Sequence, residues 1–207
     1  MTQRSRLHLI AGLSVLALGL IAFGLTYYVA ISRSPEAGLV RTIATEFEIG
    51  GPFELTDHQG QTVTEADFAG KPSLVFFGFT HCPDICPTTL YDITLVLQEL
   101  GDDADRLNVL FVSVDPERDT PDFLGTYLSS FHPGITGLTG TAEQVAEVAR
   151  SYRAYYRRVP LDNGDYTMDH SAVVYMLDAE GTFISPFVHD RAPEESAAIL
   201  RQVIEGA

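Results

Sequence analysis

The sequence predicts an α/β domain in which helices cover a mixed β-sheet, together with one membrane-spanning helix at the N-terminus. Strand-like and helix-like segments alternate along residues 50–207, as expected when helices pack on both faces of a sheet. Residues 73–79 and 107–114 carry continuous apolar runs, which are typical of central strands buried on both faces. An uncharged run at residues 9–31 indicates the membrane helix.

The N-terminal apolar segment has the length of a bilayer-spanning helix. Residues 9–31 contain 23 residues without a charged side chain, and Arg4, Arg6 and Arg33 flank them. About 20 apolar residues span a bilayer, whereas the apolar region of a secretory signal is about 7–15 residues long. We therefore predict an uncleaved anchor, with a cleaved signal peptide as the alternative. The positive-inside rule places residues 1–8 in the cytoplasm, which predicts a single-pass protein of the bacterial inner membrane whose soluble part faces the periplasm.

The chain beyond the anchor is predicted to be a tether, residues 32–49, followed by one domain, residues 50–207. A domain of this size can bury a hydrophobic core. All 28 acidic residues follow the anchor, and the net charge of the whole chain is −15. Such an acidic surface excludes nucleic acid as a partner. It can attract cations or a basic partner, or it can simply keep the protein soluble.

In the first half of the domain, the sequence predicts two strands and one helix around the cysteines. Residues 53–56 form a short alternating strand, and residues 57–60 have the composition of a turn. The apolar strand at residues 73–79 comes next. Apolar residues at helical spacing then predict a helix over residues 88–100, which Gly101 ends.

In the second half of the domain, the sequence predicts a central strand, three helices and a hairpin. A proline in a first turn, a capping box and a turn between two apolar runs mark the boundaries of these elements. In chain order, the predicted elements are a strand at 107–114, a helix at 121–131, a helix at 142–152, hairpin strands at 171–177 and 182–188, and a helix at 194–204. This order fits a thioredoxin-like α/β domain with a mixed sheet.

The chain contains only two cysteines, Cys82 and Cys86, and they lie four residues apart. At that spacing on a helical turn their Cβ atoms are about 5–6 Å apart, so either a disulfide or a shared soft metal ion can join them. Pro87 predicts that the regular helix begins there, with the two thiols in the turn before it. The positive end of the helix dipole then favours thiolate at both sulfurs. Thiolate serves redox and metal chemistry equally, so this feature does not discriminate between them.

His170 is the candidate that can discriminate, because it lies immediately before a predicted central strand. In thioredoxin-like domains the corresponding loop faces the thiols, and the redox members carry a proline there. This chain has no proline between Pro160 and Pro186. Taken from the residues alone, His170 is a metal ligand, a core or turn histidine, or an acid/base partner of the thiols.

Two thiolates and one imidazole would form a soft metal site with three ligands, Cys82, Cys86 and His170. Thiolates select Cu(I), imidazole suits copper in both oxidation states, and a structural zinc site normally has four ligands. Asp84 and Asp169 are candidates for a fourth ligand or for outer hydrogen-bonding partners of the site.

Three stretches of the sequence resemble the Sco (SenC/PrrC) family of membrane-anchored copper proteins. They are FGFTHCPDICP at residues 77–87, SVDPERDTP at residues 113–121, and DHS at residues 169–171. Three separate motifs in this order make a specific signal, whereas two cysteines four apart would be weak alone. The resemblance extends from about residue 47 to the C-terminus, and the single anchor also matches the layout of the family.

The resemblance implies a thioredoxin-like fold and copper bound by Cys82, Cys86 and His170. It also implies a copper chaperone that helps to assemble the binuclear copper site of a haem–copper cytochrome oxidase. The expected partners are then the copper-site subunit of the oxidase, a copper-donating chaperone, and the lipid bilayer through the anchor. Some members of the family are instead assigned the reduction of that site's cysteines, so a membrane-anchored thiol–disulfide oxidoreductase is the alternative.

Two further features are interpreted as structural. Asp119 and Thr120 can cap the helix that Pro121 begins, and His81 is expected to be an exposed turn residue, with tuning of Cys82 as its alternative. A peroxidase is disfavoured, because the threonine expected three residues before a reactive cysteine is displaced and the chain has no tryptophan. A purely structural disulfide would gain little, since the loop it closes is so short.

Overall fold

The structure is a computed structural model that describes residues 23–24 and 49–206. The predicted anchor and tether fall almost entirely outside these residues. No helix among the residues described has the length and hydropathy that a bilayer crossing requires. Residues from Glu48 onward form a compact unit by themselves.

The described part of the domain contains nine strands, four α-helices and two 3₁₀ turns. The strands are β1 Glu54–Asp57, β2 Thr62–Thr64, β3 Ser73–Gly78, β4 Asn108–Ser113, β5 Ile135–Thr139, β6 Tyr156–Pro160, β7 Tyr166–His170, β8 Val174–Leu177 and β9 Phe183–Phe187. The helices are α1 Ile85–Leu100, α2 Pro121–Leu128, α3 Ala142–Ser151 and α4 Pro193–Glu205, with 3₁₀ turns at Glu65–Phe68 and Gly101–Arg106.

Seven strands form one mixed sheet in the order β2-β1-β5-β4-β3-β8-β9. The three central strands, β3, β4 and β5, are parallel, whereas β1 and β8 are antiparallel to their neighbours. Every residue of β3 is buried, and β4 is buried from Val109 onward. The predicted mixed α/β sheet with two buried central strands is therefore confirmed.

Helix α1 begins at Ile85, two residues before Pro87, where the sequence places the start of the regular helix, so Cys86 already lies in its first turn. The prediction was wrong because Pro87 is tolerated there. The N–H groups of a first turn have no partner within the helix, so proline removes no hydrogen bond at that position. Its ring would oppose the carbonyl of Pro83, which is outside the helix.

The sequence also misses the hairpin of β6 and β7, which forms a separate two-stranded sheet. Its strands, YRRVP and YTMDH, lack the clean alternation of apolar and polar residues that marks a strand. Strands β2 and β5 were missed as well, residues 171–173 lie outside β8, and α2 ends at Leu128. The hairpin matters for function because His170 is its last residue.

The parallel pair of β3 and β4 brings two sequence motifs to one edge of the sheet. Gly78 and Ser113 are the last residues of these strands and lie opposite each other in the register. The segment that carries the cysteines follows β3, and residues 114–120 follow β4. The two segments are therefore neighbours.

Candidate metal centre

The two thiols lie where β3 turns into α1. Cys82 is half-buried, Cys86 is fully buried, and both are free cysteines. The N–H of Cys82 donates to the carbonyl of Phe79 at 3.3 Å, which closes the turn. The N–H of Cys86 points at Sγ of Cys82 from 3.5 Å. One thiol is thus accessible at the rim of the domain, and the other belongs to the core.

The structure brings His170 to these thiols. Its Nε2 lies 3.3 Å from Sγ of Cys86. The ligand atoms of Cys82, Cys86 and His170 all lie within 4.8 Å of one another. The three residues that the sequence singled out as metal ligands therefore form one cluster of donors.

The imidazole of His170 is held in the orientation that a ligand needs. Its Nδ1 lies 3.0 Å from the carbonyl oxygen of Ser171. A carbonyl oxygen only accepts, so Nδ1 carries the proton and Nε2 offers its lone pair to the cluster. The Phe79 ring and the imidazole pack edge to face with 5.7 Å between their centroids, and the centroid of the Phe76 ring lies 6.3 Å from that of the imidazole. Such a backbone partner on the second nitrogen fixes the tautomer of histidine ligands in metal proteins.

Burial decides the protonation of Cys86. The thiol is enclosed by the core, and this desolvation raises the pKa of Cys86 well above its ordinary value. The prediction that the helix dipole favours thiolate at both sulfurs is therefore wrong for Cys86, because loss of solvent outweighs the dipole. Cys86 is therefore held as a neutral thiol at neutral pH and must release its proton to bind a cation as thiolate.

Asp84 and Asp169 do not join the donor cluster. Asp84 is the exposed residue that precedes α1, and its side chain makes no capping hydrogen bond. Asp169 accepts from Nη2 of Arg157 at 3.0 Å, and its side chain is 58% exposed. Successive side chains of a strand point to opposite faces. Asp169 therefore points away from the thiols when His170 points toward them.

Asp119 is the residue near the site whose role the sequence misses. Its side chain is fully buried, with Oδ1 accepting from the Thr80 hydroxyl at 2.5 Å and Oδ2 accepting from the Thr80 N–H at 3.0 Å. Oδ2 also accepts from the Ser113 hydroxyl at 2.6 Å. Only Thr120 caps α2, through the N–H of Phe123. Asp119 instead holds the segment that leads to Cys82.

His81 is exposed, as the sequence predicts, but it is not isolated. Its ring stacks on Phe123, with 5.4 Å between centroids. Its Nδ1 lies 3.0 Å from the Thr80 hydroxyl and 3.8 Å from the Asp119 carboxylate. These contacts direct the imidazole toward Asp119 and Phe123.

The donor set fits copper. Two thiols and one imidazole with a defined tautomer suit a soft ion, and thiolates select Cu(I). A structural zinc site normally has four protein ligands, whereas the donor cluster among the described residues has three.

Known proteins share both the sequence and the fold. A family model described as SCO1/SenC matches residues 41–205. Protein SCO2 of Saccharomyces cerevisiae is 46% identical over 162 residues, which are 76% of this chain and 53% of the relative. The SCO2-like protein of Rickettsia conorii is 39% identical over 187 residues, which are 88% of this chain and 91% of the relative. The chain thus spans about half the length of the yeast relative.

Solved structures of similar proteins share the fold of this chain. ScoI of Bradyrhizobium japonicum, determined with copper bound, is 54% identical, with a TM-score of 0.73 over 75% of this chain and 99% of that one. Yeast Sco1 with copper bound is 37% identical, with a TM-score of 0.70 over 78% of this chain and 91% of that one. These structures confirm the predicted thioredoxin-like α/β fold. The extent of the family match, together with these identities, means that the chain belongs to the SCO1/SenC family.

Proposed function

We propose that this protein is a copper chaperone that binds copper through Cys82, Cys86 and His170 and takes part in assembling the copper site of a haem–copper cytochrome oxidase. The observation that carries the proposal is the cluster of three soft donor atoms within 4.8 Å of one another. Copper in the solved structures of relatives supports the choice of metal. Family membership supports the link to oxidase assembly.

The unequal burial of the ligands suits a protein that must release its metal. Cys82 is half-buried and His170 ends a hairpin that lies outside the main sheet, whereas Cys86 is fully buried. Ligands of a partner reach the copper from the side of Cys82 and His170, so these two ligands are replaced first. The bond between copper and the buried Cys86 is replaced last. Copper is the cargo in this process, and no covalent catalysis is required.

The partners and the compartment belong to the same proposal. A copper-donating chaperone loads the site, and the copper-site subunit of the oxidase receives the metal. The uncharged segment at residues 9–31 supports an anchor in the bacterial inner membrane. The domain then faces the periplasm, where disulfides can form and persist.

Replacing His170 with alanine tests the ligand set. The His170→Ala variant should bind Cu(I) more than about 10-fold more weakly than the unmodified chain, because two thiolates remain but the third donor is lost, and loss of an outer partner of a ligand alone costs at least that much. The measurement is an anaerobic titration of the reduced full chain against a chromogenic Cu(I) chelator. His132→Ala is the matched control, since this histidine lies outside the donor cluster. Unchanged affinity in the His170→Ala variant would overturn the three-ligand site.

The affinity for Cu(I) should rise with pH. Burial raises the pKa of the Cys86 thiol, so this group is protonated throughout the range from about pH 6 to pH 8 and must release its proton when copper binds. Competition from that proton weakens about tenfold for each pH unit gained. Chelator titrations at about pH 6, 7 and 8 measure the slope. A flat profile would show that Cys86 does not bind as thiolate.

One observation favours a second candidate, a thiol–disulfide oxidoreductase. Cys82 is partly exposed, and its Sγ faces the N–H of Cys86 at the start of α1. Such a position leaves its sulfur open to a partner. Its thiolate would attack a partner disulfide, and Cys86 would resolve the mixed disulfide, leaving a Cys82–Cys86 disulfide and a reduced partner dithiol. Dithiol exchange that persists in the His170→Ala variant without copper would support this function, and its absence would exclude it.

A further inference from the structure

We propose that the turn joining β4 to α2 positions both halves of the metal site, with Asp119 fixing the segment that carries Cys82 and Asp115 fixing the hairpin that carries His170. The inference rests on the proposed copper binding and deepens it, because it names residues that set the geometry of the ligands without touching the metal. Asp115 and Asp119 lie four residues apart in this turn, and both are buried, at 3% and 0% exposure.

Asp119 anchors the thiol side. Its carboxylate accepts both the hydroxyl and the N–H of Thr80, which is two residues before Cys82. The hydroxyl of Ser113, at the end of β4, donates to the same carboxylate. A buried carboxylate with three donors has a fixed position. The segment leading to Cys82 is therefore tied to the end of the neighbouring strand.

Asp115 anchors the imidazole side. One carboxylate oxygen, Oδ1, accepts from the Tyr166 hydroxyl at 2.8 Å, and the other, Oδ2, accepts from Nε of Arg118 at 2.5 Å. Nη1 of Arg118 in turn donates to the carbonyl of Tyr166 at 3.0 Å. The guanidinium carbon of Arg118 lies 3.7 Å from the centroid of the Tyr166 ring. Tyr166 is thus held through its hydroxyl, its ring and its backbone.

A second pair strengthens the same link. Nη1 of Arg158, on β6, donates to the carboxylate of Glu117 at 2.8 Å, and its guanidinium carbon lies 3.5 Å from the centroid of the Tyr166 ring. Glu117 belongs to the turn and Arg158 belongs to the hairpin. Both strands of the hairpin are therefore fastened to the turn.

These contacts can fix His170 because the hairpin pairs with no strand of the main sheet. Among the described residues, the hydrogen bonds that join β6 and β7 to other elements go to this turn, apart from the contact between His170 and Cys86. Tyr166 and His170 are four residues apart on β7 and lie on the same face of the strand. Fixing Tyr166 thus fixes the side of the hairpin from which His170 reaches the thiols.

The consequence is a site assembled before copper arrives. Metal ligands held by outer hydrogen bonds lose less freedom on binding, and removal of such a partner typically costs about 10- to 100-fold in metal affinity. Asp115, Asp119 and Tyr166 are positioning residues in this sense. They act through different ligands, so their effects can be separated.

The test is a double-mutant cycle on the reduced full chain, with Cu(I) affinity measured by anaerobic chelator competition. Tyr166→Phe keeps the ring but removes the hydroxyl that Asp115 accepts, and it should lower the affinity about tenfold. In the His170→Ala background the same change should have no further effect, because it acts through the imidazole. Asp119→Asn should lower the affinity by a similar factor in both backgrounds, because it acts through Cys82.

Tyr155→Phe is the control, since Tyr155 lies beside the same hairpin with an exposed side chain, and its affinity should equal that of the unmodified chain. If Asp119→Asn does not fold, Thr80→Val removes the same hydrogen bond from the other side. The imidazole nitrogen resonances of His170 give a readout that a loss of stability alone would not move. Tyr166→Phe should change them, and Tyr155→Phe should not.

Two outcomes would overturn the positioning role: Tyr166→Phe binding at full strength while His170→Ala is weakened, or Tyr166→Phe causing the same loss in both backgrounds. Full-strength binding by His170→Ala would instead overturn the proposed ligand set. The failure of the inference and the failure of the proposed function are therefore distinguishable.

Discussion

Replacing Cys86 with alanine should lower the affinity for Cu(I) by more than about a hundredfold, a larger loss than for any other single ligand. Loss of an outer partner of a metal ligand already costs about 10- to 100-fold, and Cys86 is itself a proposed ligand. Its Sγ also lies 3.3 Å from Nε2 of His170. Without its sulfur, Cys82 and His170 are two donors on separate segments. Anaerobic chelator competition on the reduced full chain measures the loss.

The same substitution separates binding from folding. Cys86 is fully buried, so removing its sulfur leaves a small cavity that should cost about 1–2 kcal/mol of unfolding free energy. Cys82→Ala is the matched comparison, because its side chain is only partly buried and its loss should cost less stability. Both variants should remain folded by circular dichroism. Near-normal copper binding by folded Cys86→Ala would contradict the assignment of this thiol as a ligand.

Oxidation of Cys82 and Cys86 to a disulfide should weaken copper binding as much as the loss of both thiols. A Cys82–Cys86 disulfide would remove two of the three donors in one step, and a reductant would restore them. The redox state of the pair would then control whether the proposed site can hold copper. This control follows from the proposed ligand set and requires no separate catalytic site.

The sequence predicts those parts of the structure that local pattern determines. The capping box of Thr141 and Gln144 is present at the start of α3, and the apolar run at residues 73–79 is the buried strand β3. The candidate ligands could be named because Cys82 and Cys86 are the only cysteines in the chain and His170 lies beside a predicted strand. Each of these signals lies within a few residues of the feature it predicts.

The parts that the sequence does not predict depend on contacts between distant segments. Thr80 and Asp119 are 39 residues apart, and Asp115 and Tyr166 are 51 apart. No spacing rule joins such residues, so the sequence offers Asp119 only a local role, the capping of α2, and offers Asp115 none. The prediction of a thiolate at Cys86 was wrong for the same reason. The burial of this thiol comes from tertiary packing, whereas the effect of the helix dipole can be inferred from the position of the cysteine in the sequence.

Replacing Gly78 with alanine should lower the free energy of unfolding by about 3 kcal/mol, because the packing around Gly78 leaves no room for a methyl group. A Cβ at this position would lie 2.6 Å from Cε2 of Phe111 and 2.8 Å from Sγ of Cys86. Both neighbours are fully buried in the core, so neither can move freely. A loss of that size corresponds to a drop of about 6–12 °C in the unfolding midpoint for a domain of this length.

The Gly78→Ala variant should also bind Cu(I) more weakly, because one of the two crowded neighbours, Cys86, is a proposed ligand. Gly125→Ala is the control: the nearest atom to its added Cβ is the carbonyl oxygen of His58 at 3.4 Å, and alanine within α2 should stabilise the protein by about 0.5–1 kcal/mol. Thermal unfolding should show a loss of stability in Gly78→Ala and a gain in Gly125→Ala. Chelator competition should show a loss of copper affinity in Gly78→Ala alone. A Gly78→Ala protein as stable as the unmodified chain would show that the core can shift around Cys86. Normal copper affinity in a destabilised variant would show that Phe111, rather than the sulfur, gives way.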